Sequence, residues 1–567
     1  MISVSGKNWD ETIINKRLVD KISYEEDFSE IISKIIISRK FDKSEIYSIN
    51  NDVELNNPFS KNKDFIIGAE ILKNAIEKDE KILIIGDYDV DGCVSSSLWV
   101  NFFKQINKQV FYHIPNRIKD GYGASLNLVK SLTKKKPNLV IMVDCGSNSS
   151  ESVNFLKSKN IKTIIIDHHE IYKPYPKSEC LINPKKECNY IEYDYLCASS
   201  LTYFFIDFFI NKNSLKIDFK KNLFYVLLAS LCDVMPLRKM NRAIAKKVLN
   251  NKDLRKNFIF DEILLLKNIN RPLTIDDFGF LIGPILNSAG RLDDANKVVK
   301  LITESNNINK KRIIKNLFDL NEKRKKIEDN TIKELDLSKI KNDSNNILIQ
   351  YKNNFNEGLI GIIAARLKEY FDKPSVVMTK SINCYKASAR SNSNFNIGKF
   401  IIQAIDKGIL QNGGGHNLAA GFSIKKDKIE PFKKFINSKF NKDSILQSKH
   451  FISKISFTAI NSKFYDDIKK AGPFGPQNIN PIFLIENIKV INPKIINNKY
   501  VSFFAKSKSN KLISAISFNL LESEISGHLL NNKNTLNMIV QLKENLWNNK
   551  KSLQLIVLDI IQNSNNA

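Results

Sequence analysis

Three short clusters rich in acid and histidine carry the chemistry this sequence can do. Asp87, Asp89 and Asp91 alternate within DYDVDG, Asp144 opens DCGS, and Asp167, His168 and His169 stand together in DHHE. Carboxylates crowded this closely repel one another and resist ionisation unless a cation shares them. Oxygen-rich sets suit hard divalent ions, and imidazole extends the range to manganese and its neighbours. The chain has only six histidines, and two of them are adjacent here. An imidazole pair beside a carboxylate offers both a ligand and an oriented proton carrier. Taken singly, each cluster also reads as a polar loop or a helix cap. Asp233, in ASLCDVMPL, ends an apolar helical stretch, where a lone acid is equally a cap. Pooled, these residues supply enough oxygen and nitrogen ligands for two Mn²⁺ or Mg²⁺ ions sharing a bridging carboxylate.

A second set of residues suits phosphate. Lys386–Ser391 (KASARS) places Ser388 and Arg390 on a strand edge, and Gly413, Gly414 and Gly415 run into His416. Glycine lets backbone N–H groups approach an anion closely, and a guanidinium grips phosphate with two parallel hydrogen bonds. The alternative for a triple glycine is a flexible turn. Asn287–Leu292 (NSAGRL) adds Arg291 in what reads as a small-residue turn facing a cleft.

The elements that must position these groups share one grammar. Lys81–Gly86, Asn138–Val143 and Lys162–Ile166 are short apolar runs, each followed by a cluster and then a helical stretch. Such runs suit strands buried on both faces of a parallel sheet, with ligands at their carboxyl ends. The expected architecture is an α/β, doubly wound parallel-sheet domain over residues 56–300, preceded by a lead-in over 1–55. Spaced apolar residues (Ile314, Leu317, Leu320, Ile327) predict a connecting helix within 301–345. A second α/β domain is expected over 346–445. Alternating apolar and polar residues over 446–567 predict a small β-barrel or sandwich.

Bulk properties narrow the class further. A chain of 567 residues with 43% hydrophobic residues is long enough for several ordinary cores. It holds no apolar run long enough for a membrane span and no apolar leader at its N-terminus. Seven cysteines without paired spacing read as reduced thiols, so a cytoplasmic setting is expected. The net charge of +27 fits a polyanionic substrate. A Lys-, Asn- and Ile-rich composition typical of AT-rich genomes accounts for the lysines equally well, so charge alone does not decide.

In this order the motifs resemble those of the DHH phosphoesterase superfamily, and within it the RecJ family of single-strand-specific 5′→3′ DNA exonucleases. DYDVDG, DHH, CDVMPL, NSAGRL, SARS and GGHNLAAG match its signatures, as do IPNRIKDGYG, NEGLIGIIAARL and GPFGPQNINPIF. The resemblance spans roughly residues 50 to 565. It implies Asp89, Asp91, Asp144, His168 and Asp233 as metal ligands, with His169 and Asp87 in catalytic roles. It implies Arg291, Ser388, Arg390, Gly414, Gly415 and His416 as the grip on substrate phosphates. It further implies DHH and DHHA1 domains and a terminal OB-like barrel holding the single strand, with Tyr500, Phe503, Phe504 and Trp547 as candidate stacking residues. The family's LCGAG is replaced by Leu196–Ser200 (LCASS). The expected function is metal-dependent degradation of single-stranded DNA from its 5′ end to mononucleotides, in repair and recombination. Single-strand-binding protein and a helicase are expected partners, and the chain is expected to be a monomer. Two alternatives stay open: a DHH-family phosphodiesterase acting on short oligoribonucleotides or cyclic dinucleotides, and a non-catalytic single-strand-binding scaffold.

Overall fold

The structure is a computed structural model. It describes every residue except 187–189, 343–344, 393, 441–447, 498, 520–522, 532–533, 548–549 and 563–567. The chain forms two units, one of residues 56–235 with 248–445 and the other of 1–55, 236–247 and 446–567. Strand β1 (Trp9–Glu11) opens the chain and belongs to the second unit.

The first unit begins with five strands: β2 (Ile82–Ile85), β3 (Phe111–His113), β4 (Leu139–Val143), β5 (Lys162–Ile166) and β6 (Cys180–Ile182). They form one parallel sheet in the order β3-β2-β4-β5-β6. The strand order reverses beside β2, so β2 and β4 flank the point where the loops of a doubly wound sheet splay apart to admit ligand. Every residue of β2 and β4 is buried, as their continuous apolar sequence requires. Helix Val90–Gln105 follows β2 and Ser150–Ser158 follows β4.

The expected turn at NSAGRL is instead the second half of helix Gly283–Leu292. Its small residues serve close packing against the loop after β2, not chain reversal. The connecting helix spans Asn307–Lys333, and a separate short helix, Leu337–Lys341, follows it. The break falls where Glu334 caps the first helix and Asp336 caps the second through its side chain.

The second sheet of this unit contains β7 (Leu348–Lys352), β8 (Ser375–Lys380), β9 (Tyr385–Arg390), β10 (Asn412–His416) and β11 (Ala419–Ile424), in the order β10-β11-β9-β8-β7. One sequence reading is corrected here, and one alternative is set aside. SARS lies on β9, which is the central strand and not an edge. The glycine run is no flexible turn but β10 itself, the exposed edge strand, paired antiparallel with β11. Helix Ile397–Asp406 approaches the end of that strand closely, since a Cβ on Gly398 would lie 2.8 Å from the His416 carbonyl oxygen.

In the second unit, β1 pairs in parallel with β12 (Lys449–Phe451), and the two-residue β13 (Ser453–Lys454) adds to the edge of a barrel. The barrel consists of β14 (Ile482–Ile496), β15 (Tyr500–Lys506), β16 (Leu512–Ser517), β17 (Leu536–Trp547) and β18 (Lys550–Ile561). The order β14-β15-β16-β18-β17 closes through β14–β17 pairing, and the β16–β18 pairing is parallel. Helix Glu524–Asn531 sits between β16 and β17 in the chain and sends Ile525 and Leu529 into the barrel core. This is the topology of an OB-type barrel. Alternation decides the aromatic residues: Phe503 is 2% exposed and packs in that core, so it is removed from the stacking candidates, whereas Phe504 is 48% exposed. Tyr500 lies edge-on to Phe518. Trp547 ends β17, and its side chain lies outside the described ones. No described helix is long and apolar enough to cross a membrane.

Candidate metal centre and phosphate grip

The acidic loop after β2 is shaped by capping. Asp89 is the N-cap of helix Val90–Gln105 and accepts from the Gly92 amide at 3.0 Å. Asp91, the second residue of the helix, is buried, and its two oxygens accept from the Ala198 and Ser199 amides at 2.8 and 2.9 Å. Those amides open helix Ala198–Lys212, so the carboxylate sits at a positive helix end. The LCASS departure therefore changes side chains while leaving in place the backbone groups that Asp91 uses. Asp144, directly after β4, adopts a left-handed φ of 58°, an uncommon conformation that aspartate tolerates better than most residues.

These loops bring the predicted groups together. His168 Nε2 lies 3.3 Å from Asp144 Oδ1, 3.4 Å from Asp233 Oδ2 and 3.7 Å from Asp91 Oδ2. Ligand atoms of Asp144, His168 and His169, of Asp91, His168 and Asp233, and of Asp87, Asp89 and Asp144 each fall within 4.8 Å of one another. Both Asp144 carboxylate oxygens, Asp87 Oδ1 and His168 Nε2 are buried without a hydrogen-bond partner. Buried polar atoms are almost always satisfied, so four such atoms pointing into one space mark a cation cradle. Burial and the neighbouring Asp89 push the Asp87 carboxyl up to about 8. Burial and the surrounding aspartates raise Asp144 and Asp233 well above the usual carboxylate range. The donor set, oxygen with one or two imidazoles, fits Mn²⁺ or Mg²⁺.

Asp167 plays a different part, one that the sequence does not announce. Its carboxylate accepts from the Ser147, His168 and His169 amides and from His169 Nδ1 at 2.7 Å. Burial opposes ionisation, but the charged His169 ring and these hydrogen bonds hold Asp167 far below the usual range. Burial likewise disfavours a charged His169, yet Asp167 pushes its imidazole up to about 10. Burial and the His169 charge drive His168 down to about 4, keeping it neutral and able to coordinate. The Tyr122 hydroxyl stands 3.1 Å from His169 Nε2. Tyr122 comes from IPNRIKDGYG, as does Arg117, whose guanidinium lies 5.0 Å from the Tyr88 ring centroid. Only the motif resemblance hinted at these residues; their spacing in sequence carries no signal.

Arg291 and Arg390 form the second part of the site. Arg291 is forced down to about 10 by burial and by the charges of Arg117, Arg324 and Arg390. Arg390 donates to Ser388 Oγ at 3.1 Å and is likewise lowered by burial and Arg117. Guanidiniums crowded at one place favour a phosphate between them. His416 lies at the end of exposed β10, within electrostatic reach of Arg390 and His169. Gly414 and Gly415 stand on the same strand, flanking His416 on its N-terminal side.

Two close approaches lock the acidic loop. A Cβ on Gly92 would lie 2.4 Å from the Asp87 nitrogen, and one on Gly290 would lie 2.1 Å from the Tyr88 carbonyl oxygen. Asn287 Oδ1 also accepts from the Val90 amide, tying NSAGRL to this loop. Gly92→Ala should therefore cost about 1–3 kcal/mol of stability and weaken metal binding. An unchanged Mn²⁺-dependent rise in melting temperature in this variant would contradict the packing argument.

Comparison with known proteins supplies the context for this geometry. Residues 81–231 match the family model for the DHH family N-terminal domain, 344–442 the DHHA1 domain and 453–559 the RecJ OB domain. The chain is 25% identical over 548 residues to the single-stranded-DNA-specific exonuclease RecJ of Bacillus subtilis, covering 93% of this chain and 67% of that protein. It is 27% identical over 521 residues to the protein of the same description from Escherichia coli, covering 87% of this chain and 89% of that one. Crystal structures of RecJ from Thermus thermophilus share the fold. The Mn²⁺ complex superposes with TM-score 0.82 at 18% identity, over 98% of this chain and 80% of that one. The Mg²⁺ complex gives 0.75 at 17% identity, over 98% and 78%. With the three domains in this order and a metal cradle formed by the loops of the first, the chain belongs to the RecJ family of DHH proteins.

Proposed function

We propose that this protein is a metal-dependent exonuclease that degrades single-stranded DNA from its 5′ end to mononucleotides, in repair and recombination. The observation that carries the reading is the pairing of a buried carboxylate–imidazole cradle with a crowded guanidinium group in one unit. Asp87, Asp89 and Asp144 on one side, and Asp91, His168 and Asp233 on the other, would hold two divalent ions, with Asp144 reaching both sets. Such ions, when bound, make hydroxide available near neutral pH and offset charge on the scissile phosphate.

The chain's own residues do the rest. Arg291, Arg390 and Ser388 hold and orient the substrate's phosphates, including the terminal one, and Gly414, Gly415 and His416 border that grip. His169, kept charged by Asp167, presents a proton near the cradle and stabilises negative charge developing there. The outer face of the barrel, with Phe504 exposed and Tyr500 half-buried on the same strand, offers rings on which bases stack. The resemblance supports a monomer working in the cytoplasm with single-strand-binding protein and a helicase.

Digestion of 5′- and 3′-labelled DNA and RNA strands with Mn²⁺ or EDTA tests the reading. Early release of the 5′ label as mononucleotide from DNA, only with metal, is expected. Release from the 3′ end, or a preference for RNA, would refute it. Arg390→Ala should raise KM by about 10- to 100-fold and change kcat less, since it removes a charge-assisted grip. A fall confined to kcat would count against anchoring.

A further inference from the structure

Five buried side chains next to the cradle are not among its ligands: Ser95, Cys197, Ser199, Ser200 and Ser230. They belong to three helices and a cap, namely Val90–Gln105, Ala198–Lys212 with Cys197 before it, and Leu223–Cys232. The first helix carries Asp91, and Asp233 caps the end of the third. Where the family pattern LCGAG has Ala and Gly, this chain has Ser199 and Ser200, so two of these hydroxyls are its own addition.

Each hydroxyl has one proton to give, and that sets the directions of the bonds. Ser199 gives its proton to the Asp91 carbonyl at 3.0 Å, so in its 3.0 Å contact with Ser95 it accepts. Ser230 gives its proton to the Val226 carbonyl at 2.9 Å, so it accepts from Ser200 at 3.3 Å. The Cys197 thiol lies 3.5 Å from both of these hydroxyls. A serine inside a helix ordinarily turns its hydroxyl back on its own helix, as Ser97 does toward the Cys93 carbonyl at 2.7 Å. Ser95, Ser199 and Ser200 instead bond from one helix to another. The first turn of the middle helix thereby holds both outer helices, one at Asp91 and the other at Ser230. The Met235 amide closes the end of the third helix on the Ser230 carbonyl at 2.9 Å, with Asp233 inside that closure.

We propose that this hydroxyl cluster is a positioning device that fixes the spacing of Asp91 and Asp233, and with it the ability of that ligand group to hold Mg²⁺ as well as Mn²⁺. It rests on the cradle binding metal, and it adds what sets the preference between ions. His168 Nε2 stands 3.7 Å from Asp91 and 3.4 Å from Asp233, so a shift of either helix alters the whole group. Mg²⁺ demands near-ideal octahedral geometry at about 2.0–2.1 Å. Mn²⁺ is larger and tolerates looser spacing, so a cradle with a displaced carboxylate loses Mg²⁺ first.

Calorimetric titration of the metal-free full chain with Mg²⁺ and with Mn²⁺, without DNA, tests this in three variants. Ser199→Ala and Ser200→Ala cut different halves of the cluster. Ser97→Ala is the control, since it removes an equally buried hydroxyl that bonds only within its own helix. Each variant removes a single oxygen, and thermal melting in EDTA checks that it folds. Ser199→Ala and Ser200→Ala should each weaken Mg²⁺ binding about tenfold or more and Mn²⁺ binding less than about threefold, with Ser97→Ala changing neither. Equal losses for the two ions, no loss for either, or the same Mg²⁺-selective loss in Ser97→Ala would overturn the proposal. Wild type that binds neither ion would instead refute the cradle itself.

Discussion

Asp144→Asn is expected to reduce metal-dependent nuclease activity more than about 100-fold while raising the melting temperature of the metal-free protein at pH 7.5. Both effects follow from one carboxylate. Asp144 reaches two of the ligand groups, and its oxygens have no other partner, so its loss dismantles the cradle. Without a cation, the same carboxylate is buried among Asp91, Asp89, Asp87 and Asp233, and its charge repels theirs. The sign in pH follows. A carboxyl whose folded pKa is raised binds its proton more tightly in the folded state. The stability it contributes is complete below the unfolded value of about 4 and is lost as pH climbs toward the folded value. For Asp87 that folded value is about 8, so metal-free protein should lose stability steadily between about pH 4 and pH 8. Melting in EDTA and in Mn²⁺ across this range provides the measurement. A flat EDTA profile, or an Asp144→Asn variant less stable than wild type in EDTA, would remove the electrostatic account.

Phe503→Ala should destabilise the barrel by about 3–5 kcal/mol, whereas Phe504→Ala should stay within about 0.5 kcal/mol of wild type. The two rings are adjacent on β15 and point to opposite sides of the sheet. Phe503 packs with Val501, Ala505, Ile513 and Ala515 inside the barrel, and removing it leaves a cavity. Phe504 stands outside, opposite Ser514 on β16. Its loss should instead weaken binding of single-stranded DNA, by about 1–3 kcal/mol if a base stacks there. Denaturant unfolding and oligonucleotide titration of both variants separate the roles. A stability loss in Phe504→Ala as large as in Phe503→Ala would show that the assignment of faces is wrong.

Much of this architecture was legible in the sequence because its signals are local. Continuous apolar runs ending in DYDVDG, DCGS and DHHE marked buried parallel strands with chemistry at their carboxyl ends, since burial on both faces forbids polar residues within such strands. Alternation over the last hundred or so residues marked a barrel for the same kind of reason. The acidic and histidine residues that make the cradle could be named from type and spacing together with the family resemblance, because few other arrangements put so many carboxylates where like charges repel. Local signals run out where distant segments meet. NSAGRL reads as a turn from its small residues, but those residues let a helix touch the Tyr88 carbonyl, which lies about two hundred positions away in the chain. The glycine run left a flexible turn open as an alternative, but on folding it is an edge strand whose Gly413 and Gly415 lie against β11. Phe503 and Phe504 are alike in sequence, and only the closure of the barrel decides which faces water. The roles of Asp167, Tyr122 and Arg117 likewise depend on loops from separate strands converging. Residue types and their periodicity thus determined the elements, and together with the resemblance they named the candidate ligands. The tertiary structure alone decided which charges share a space, because repulsion, burial and close packing act between atoms that the chain brings together only on folding.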